Sequence, residues 1–146
     1  MSSLKKFLLK KGYTKIKLTL TPTNHFEIKA KINDISGRFI LDTGASNTCI
    51  GIDKIENFKL IPEDSEIKAA GAGATEMDTQ ISTKNTIKIG AWKYQKLKIV
   101  LFDLMHVNQA LINHNALPVD GIIGADILKK TKAIIDYNKK CVYFKL

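Results

Sequence analysis

Arginine is almost absent from this chain. The basic residues number 23 against 14 acidic ones, for a formal net charge of +9, yet Arg38 is the sole arginine and the others are lysines. Planar, bidentate reading of phosphates or base edges favours arginine, so its scarcity argues against nucleic-acid recognition, and no nucleic-acid partner is expected. The lysines instead alternate with apolar residues, as in Lys15-Ile16-Lys17-Leu18 and Lys96-Leu97-Lys98-Ile99, which is the pattern of solvated strand faces. Cysteine is nearly as scarce. Cys49 and Cys141 lack metal or redox spacing, so free thiols and a reducing, cytoplasmic location are expected. No apolar run approaches the roughly 20 residues of a membrane span, and Phe7-Leu8-Leu9 is too short for a secretory leader. The histidines, His25, His106 and His114, lack the tight spacing of metal pairs; neither a metal nor a cofactor is expected. Gly71-Ala72-Gly73 lacks the third glycine and the βαβ context of a dinucleotide loop.

What is present fits one compact domain: 146 residues, 45% hydrophobic, mean hydropathy −0.07. Residues 1–12 read as a basic amphipathic lead-in, and residues 13–146 as the domain. Lys15–Leu20 and Phe26–Ile32 alternate with period two and predict strands, with a turn at Thr21–Asn24. A second turn is expected over Asn33–Gly37, followed by a strand at Arg38–Leu41. Thr48–Ile50 suits another short strand, and Asp53–Phe58 one or two helical turns. In Ala69-Ala70-Gly71-Ala72-Gly73-Ala74 no side chain exceeds a methyl group, which suits a hairpin tip lying close to another backbone. Thr86–Ile89, Tyr94 and Leu97–Phe102 are strand-like, with Trp92 a core aromatic. Asp103–Pro118 reads as a short helix or a long loop. Ala125–Lys130 predicts a helix, with Asp126 well placed in its first turn, and Ala133–Tyr137 and Cys141–Phe144 predict two closing strands. The expected class is all-β, a small closed barrel with one short helix near the C-terminus.

The chemistry concentrates at Asp42-Thr43-Gly44-Ala45, entered from Phe39-Ile40-Leu41 and followed by Ser46. A strand ending on this tetrad delivers Asp42 to a buried edge, where a carboxylate is costly unless paired or hydrogen-bonded. Gly44 permits a sharp turn there. Alone, Asp-Thr-Gly reads first as an Asx-turn after a strand. Two further features, in order, change the balance: the glycine-rich hairpin about 30 residues on, and Ile122-Ile123-Gly124 just before the C-terminal helix.

This ordered set resembles the retropepsin-like aspartic peptidases, the single-lobe family that includes retroviral proteases, from about Lys15 to the C-terminus. The resemblance implies that Asp42 is the catalytic carboxylate and that Thr43, Gly44, Ala45 and Ser46 complete the active-site loop. It implies that Ala70, Gly71, Ala72 and Gly73 form a flap over substrate, and that Ile122, Ile123 and Gly124 support the loop from beneath. Thr43 takes the family's structural role, its hydroxyl bonding across paired loops. Hydrolysis by carboxylates needs two of them sharing one proton. With one motif per chain, a homodimer must supply the second Asp42. The expected function is therefore a homodimeric aspartic endopeptidase cutting extended peptide or protein substrates. The alternative is a non-catalytic module of the same fold serving dimerisation or peptide binding. In some retroviral members an Asp at the position of Ser46 pairs with an Arg at that of Ala125. Both charges are absent here, which leaves the strand Val142–Leu146 and the basic lead-in as candidates for dimer contacts.

Overall fold

The computed structural model describes residues 3–71 and 74–146, and for residues 65–71 and 74–78 the backbone alone. Helix α1 (Leu4–Lys10) starts at Ser3, whose hydroxyl accepts from the Lys6 amide. It is followed by β1 (Tyr13–Lys17), β2 (Thr19–Leu20), β3 (Phe26–Ile32), β4 (Ile35–Leu41) and β5 (Cys49–Gly51). A 3-10 turn at Ile52–Lys54 leads to the long strands β6 (Glu63–Gly71), β7 (Ala74–Ile89) and β8 (Trp92–Phe102). The chain closes with α2 (Met105–Asn113), β9 (Gly121–Ile123), α3 (Ala125–Lys130), β10 (Ile134–Asp136) and β11 (Cys141–Lys145).

Six strands close a barrel in the order β3-β4-β9-β5-β8-β7, with β7 pairing back onto β3. Strands β2 and β6 extend it, β6 standing at the end of the sheet beyond β7. The small sheet β1-β11-β10 is antiparallel throughout. Alternation explains the barrel wall: Phe26, Ile28, Ala30 and Ile32 of β3 point inward, whereas Lys29 and Lys31 face out. Inside lie Phe39, Leu41, Ile50, Phe58, Ile87, Ile99, Leu101 and Ile123 among others, most of them fully buried. Trp92 is buried there too, packed edge-on against Phe144.

Two sequence expectations need correction here. The stretch Lys15–Leu20 is not one strand but two, belonging to different sheets. The chain changes sheet at Leu18, which is buried and donates its N–H to the Lys140 carbonyl. The turn expected over Asn33–Gly37 is confined to Asn33 and Asp34, both at positive φ (49° and 69°). That backbone matches the twist of a tight hairpin and is tolerated best by Asn and Asp. Strand β4 therefore begins at Ile35, and Gly37 lies within it opposite Ala30.

A second apolar cluster lies outside the barrel. Ile40, Cys49, Phe102 and Ile122 meet Leu104, Leu111, Ala116 and Val119, so the segment 103–118, left open by its lack of alternation, packs as α2. Its start is fixed by the Asp103 carboxylate, which accepts from the Met105 amide. Its far side is pinned by Asn108, whose side chain both donates to the Val119 carbonyl and accepts from the Val119 amide. A third cluster seats Leu8 of α1 on Cys141 and Tyr143. Both edges of β11 are taken, by β1 and β10 of the same chain, and its Val142 and Phe144 are fully buried. The C-terminal strand thus offers no free edge to a second copy.

Candidate active site

The loop carrying Asp42 spans the gap between two strands that do not touch. Strands β4 and β5 are consecutive in the chain, but β9 lies between them, parallel to β4 and antiparallel to β5. The loop must therefore cross the C-terminal end of β9. There the Asp42 amide donates to the Ile123 carbonyl at 3.0 Å, continuing the ladder into the loop. The carboxylate is fixed within the loop itself, Oδ1 accepting from the Gly44 amide at 2.8 Å. Gly44 does not sit in the left-handed region, since it is absent from the positive-φ positions. Its contribution is room: a Cβ there would stand 3.3 Å from Asp42 Oδ1.

Behind the loop, α3 and Gly124 brace it. The Ala125 amide donates to the Ala45 carbonyl at 2.7 Å. A Cβ on Gly124 would fall 2.7 Å from the Ala45 carbonyl oxygen and 2.9 Å from the Asn47 carbonyl, so only glycine lets the two segments approach this closely. Thr48 is the central brace. It is 0% exposed; its Oγ1 donates to Asp126 Oδ1 at 2.8 Å and accepts from the Gly124 amide at 3.1 Å. Its amide donates to Asp126 Oδ2 at 3.0 Å. The Asp126 carboxylate thereby ties the first turn of α3 to the end of the loop.

Asp42, Thr43, Gly44, Ala45 and Ser46 are thus brought together with Ile122, Ile123 and Gly124. Ser46 is exposed and takes no part in the bracing; Thr48 and Asp126 do that work. Thr43 and Gly44 are exposed at the front of the loop. Of the residues expected to form a flap, Ala70 and Gly71 end β6, and Gly71 pairs with Ala74 across the hairpin; Ala72 and Gly73 lie outside the described residues. Asp120, the other carboxylate in an apolar-Asp-Gly setting, does not join Asp42. It accepts from the Arg38 amide at 2.9 Å and lies 3.8 Å from Lys54 Nζ.

Asp42 opens onto a cleft of about 670 Å³. The turn before β3 contributes Pro22, Thr23 and His25, and the strands contribute Ile40 and Ile122. The opposite wall is one face of α2, namely His106, Val107, Ala110, Leu111 and His114. No group of three or more His, Cys, Asp or Glu among the described residues is placed to hold a metal ion. Another groove, about 610 Å³, is lined by Lys29, Lys31, Arg38, Lys88 and Asp120 but does not include Asp42. There Arg38 is engaged by Glu27. Cys49, close behind the loop, is a core thiol. Its pKa is pushed up from 9.0 to about 12, chiefly by burial and further by the negative charges of Asp126 and Asp42, against a lowering by the Ile122 backbone. A thiol held protonated is no nucleophile.

A mostly-β chain closed as a six-stranded barrel, with an Asp-Thr-Gly loop braced by an apolar-apolar-Gly strand and a short helix, is a retropepsin-like fold. A family model described as "Aspartyl protease" matches residues 28–127, and the chain belongs to that family. Its structure is similar to that of a retropepsin-like aspartic protease from Rickettsia conorii. Identity there is 18% with a TM-score of 0.57, over 91% of this chain and 90% of that one. It is likewise similar to the EIAV protease complexed with the inhibitor HBY-793, at 22% identity and a TM-score of 0.57, over 75% of this chain and 90% of that one. The retroviral protease-like domain of Ddi1 from Leishmania major matches at 17% identity and a TM-score of 0.53, over 81% and 86% of the two chains. No curated protein sequence matches the chain at a significant level. Among the described residues no helix is long and apolar enough to cross a membrane.

Proposed function

We propose that this chain is an aspartic endopeptidase that acts as a homodimer, with Asp42 of each copy forming the catalytic pair. The observation that carries this reading is the Asp42 carboxylate held by the Gly44 amide at the mouth of the cleft, in a loop braced behind and exposed in front. The chain carries one such motif, and two carboxylates sharing one proton are the minimum for this chemistry. In the paired site the ionised carboxylate takes a proton from water while the protonated one donates to the scissile carbonyl. The hydroxide equivalent adds to the carbonyl carbon, and the carboxyls exchange roles as the C–N bond breaks and the amine leaves protonated. The exposed Thr43 is the residue that would face its copy across the symmetry axis. The β6–β7 hairpin serves as the flap, with Ala70 to Gly73 at its tip. Because β6 stands at the end of the sheet, an extended peptide would bind there through backbone hydrogen bonds.

The test is cleavage of a quenched peptide library by wild type and Asp42→Asn, with sedimentation in parallel. Wild type is expected to cut, to be blocked by a pepstatin-like inhibitor and to sediment as a dimer at active concentrations; the variant is expected to be inactive. Mixing equal parts of the two at constant total protein should leave about one quarter of the activity, as only wild-type pairs in a two-fold assembly cut. Undiminished cleavage by the variant overturns the reading. A stable wild-type dimer that binds peptide without cutting it points instead to the non-catalytic module.

A further inference from the structure

We infer that the cleft beside Asp42 selects peptides with a glutamate side chain next to the bond to be cut, read by His25, His106 and His114. This rests on the proposed peptidase reading and adds to it the chemistry of the substrate. All three histidines of the chain, from two separate elements, line this one cleft. Sequence spacing gave no hint of the convergence, because it depends on α2 being pinned beside β9 through Asn108 and Val119.

The cleft has the two parts a glutamate needs. Ile40, Ile122 and Leu111 supply an apolar floor for the methylenes, and the imidazoles supply polar heads along the walls. Two of the rings are already held by their Nδ1 atoms. His114 Nδ1 lies 2.8 Å from the Ala110 carbonyl and His25 Nδ1 2.7 Å from Thr23 Oγ1. A carbonyl only accepts, so His114 Nδ1 carries the hydrogen, and its Nε2 becomes a donor only when the ring is protonated. Among the described residues, the titratable groups lining the cleft are these three rings and Asp42, and no described lysine lines it. Glu27, on the strand paired with β4, is engaged by Arg38. Despite the net charge of +9, positive charge among the described lining residues comes from imidazolium alone. Imidazoles charge between about pH 8 and 5, whereas a glutamate, half-protonated only at about pH 4.3, stays largely ionised across that window. Preference for the carboxylate over its neutral amide therefore rises as the solution is acidified through that window.

The experiment compares kcat/KM for matched peptides with Glu, Gln or Leu beside the scissile bond, between pH 5.5 and 8. A charge-assisted hydrogen bond predicts a Glu-over-Gln ratio of about tenfold at pH 5.5, falling toward one at pH 8. In H25Q/H106Q/H114Q the ratio should lie within about twofold of one at both pH values. In H106K, whose ammonium does not titrate in this range, the preference should persist at pH 8. Peptides that are cut with a ratio of one at pH 5.5 overturn the inference and leave the peptidase reading standing. The same three sequences made with a reduced amide are measured for binding in parallel. If nothing is cut but the Glu analogue binds about tenfold tighter in a histidine-dependent way, the subsite stands and the catalytic reading falls. Equal binding of the Glu and Gln analogues overturns the inference whatever the catalysis.

Discussion

The brace behind Asp42 gives the sharpest quantitative expectation. Replacing Thr48 by valine keeps the shape of a side chain that is 0% exposed and removes only the hydroxyl. The backbone bond from residue 48 to Asp126 Oδ2 survives; the two bonds made by Oγ1 do not. The Gly124 amide is buried and is left without its acceptor, a cost of about 1–3 kcal/mol. The bond to Asp126 is charge-assisted, but that residue is half-buried, so water replaces part of it and about 1 kcal/mol is lost. The sum is about 2–4 kcal/mol. For a domain of this size each kcal/mol shifts Tm by about 2–4 °C, so Thr48→Val should melt about 5–15 °C lower. Thr48→Ser, which keeps the hydroxyl, should recover most of the loss. The assay is thermal unfolding of wild type, T48V, T48S, D126N and T48V/D126N. The double-mutant cycle should give a coupling above about 1 kcal/mol. A T48V protein within about 0.5 kcal/mol of wild type would refute the bracing argument.

Two further outcomes are expected. Gly124→Ala should lower stability by about 1–3 kcal/mol and, by pushing the Ala45–Asn47 segment off α3, should cut peptide turnover by about 100-fold; turnover near wild type would show that the close approach does not set the position of Asp42. Cys49 supplies a pH test. Its folded thiol titrates near 12 rather than 9.0 because burial disfavours the thiolate, so its stabilising contribution is complete below pH 9 and is lost as pH rises toward 12. Over that window the unfolding free energy of wild type relative to C49A should fall by as much as about 1.4 kcal/mol per pH unit, and a pH-independent difference would contradict the buried-thiol assignment.

Local pattern disclosed much of this molecule. The alternation of Phe26–Ile32 and the helix predicted over Ala125–Lys130 correspond to β3 and α3 at the same residues, and the Asp42 amide meets the Ile123 carbonyl at the end of β9. What stayed hidden depends on long-range pairing. Nothing around Leu18 shows that the chain changes sheet there, since both flanking strands alternate in the same way. Helix α2 has a mixed face because it covers a barrel wall rather than entering the core, and the face that lines the cleft sets His106 and His114 beside Val107, Ala110 and Leu111. Thr48 and Asp126 are separated by 78 positions, more than half the chain, so neither marks the other. A Thr two residues beyond an Asp-Thr-Gly-Ala-Ser run, combined with an Asp two residues after the apolar-apolar-Gly, was the available signal.

The placement of β9 between β4 and β5 has a consequence for when the site can exist. A polypeptide emerging from the ribosome exposes the Asp42 segment early, but the segment has no platform until Gly121–Ile123 have emerged and slotted between its two flanking strands, with Gly124–Asp126 behind it. Closing so long a loop before its contacts are rewarded is slow. An incomplete chain therefore lacks the platform for its acid group, and the shape of the loop must wait for the last fifth of the molecule.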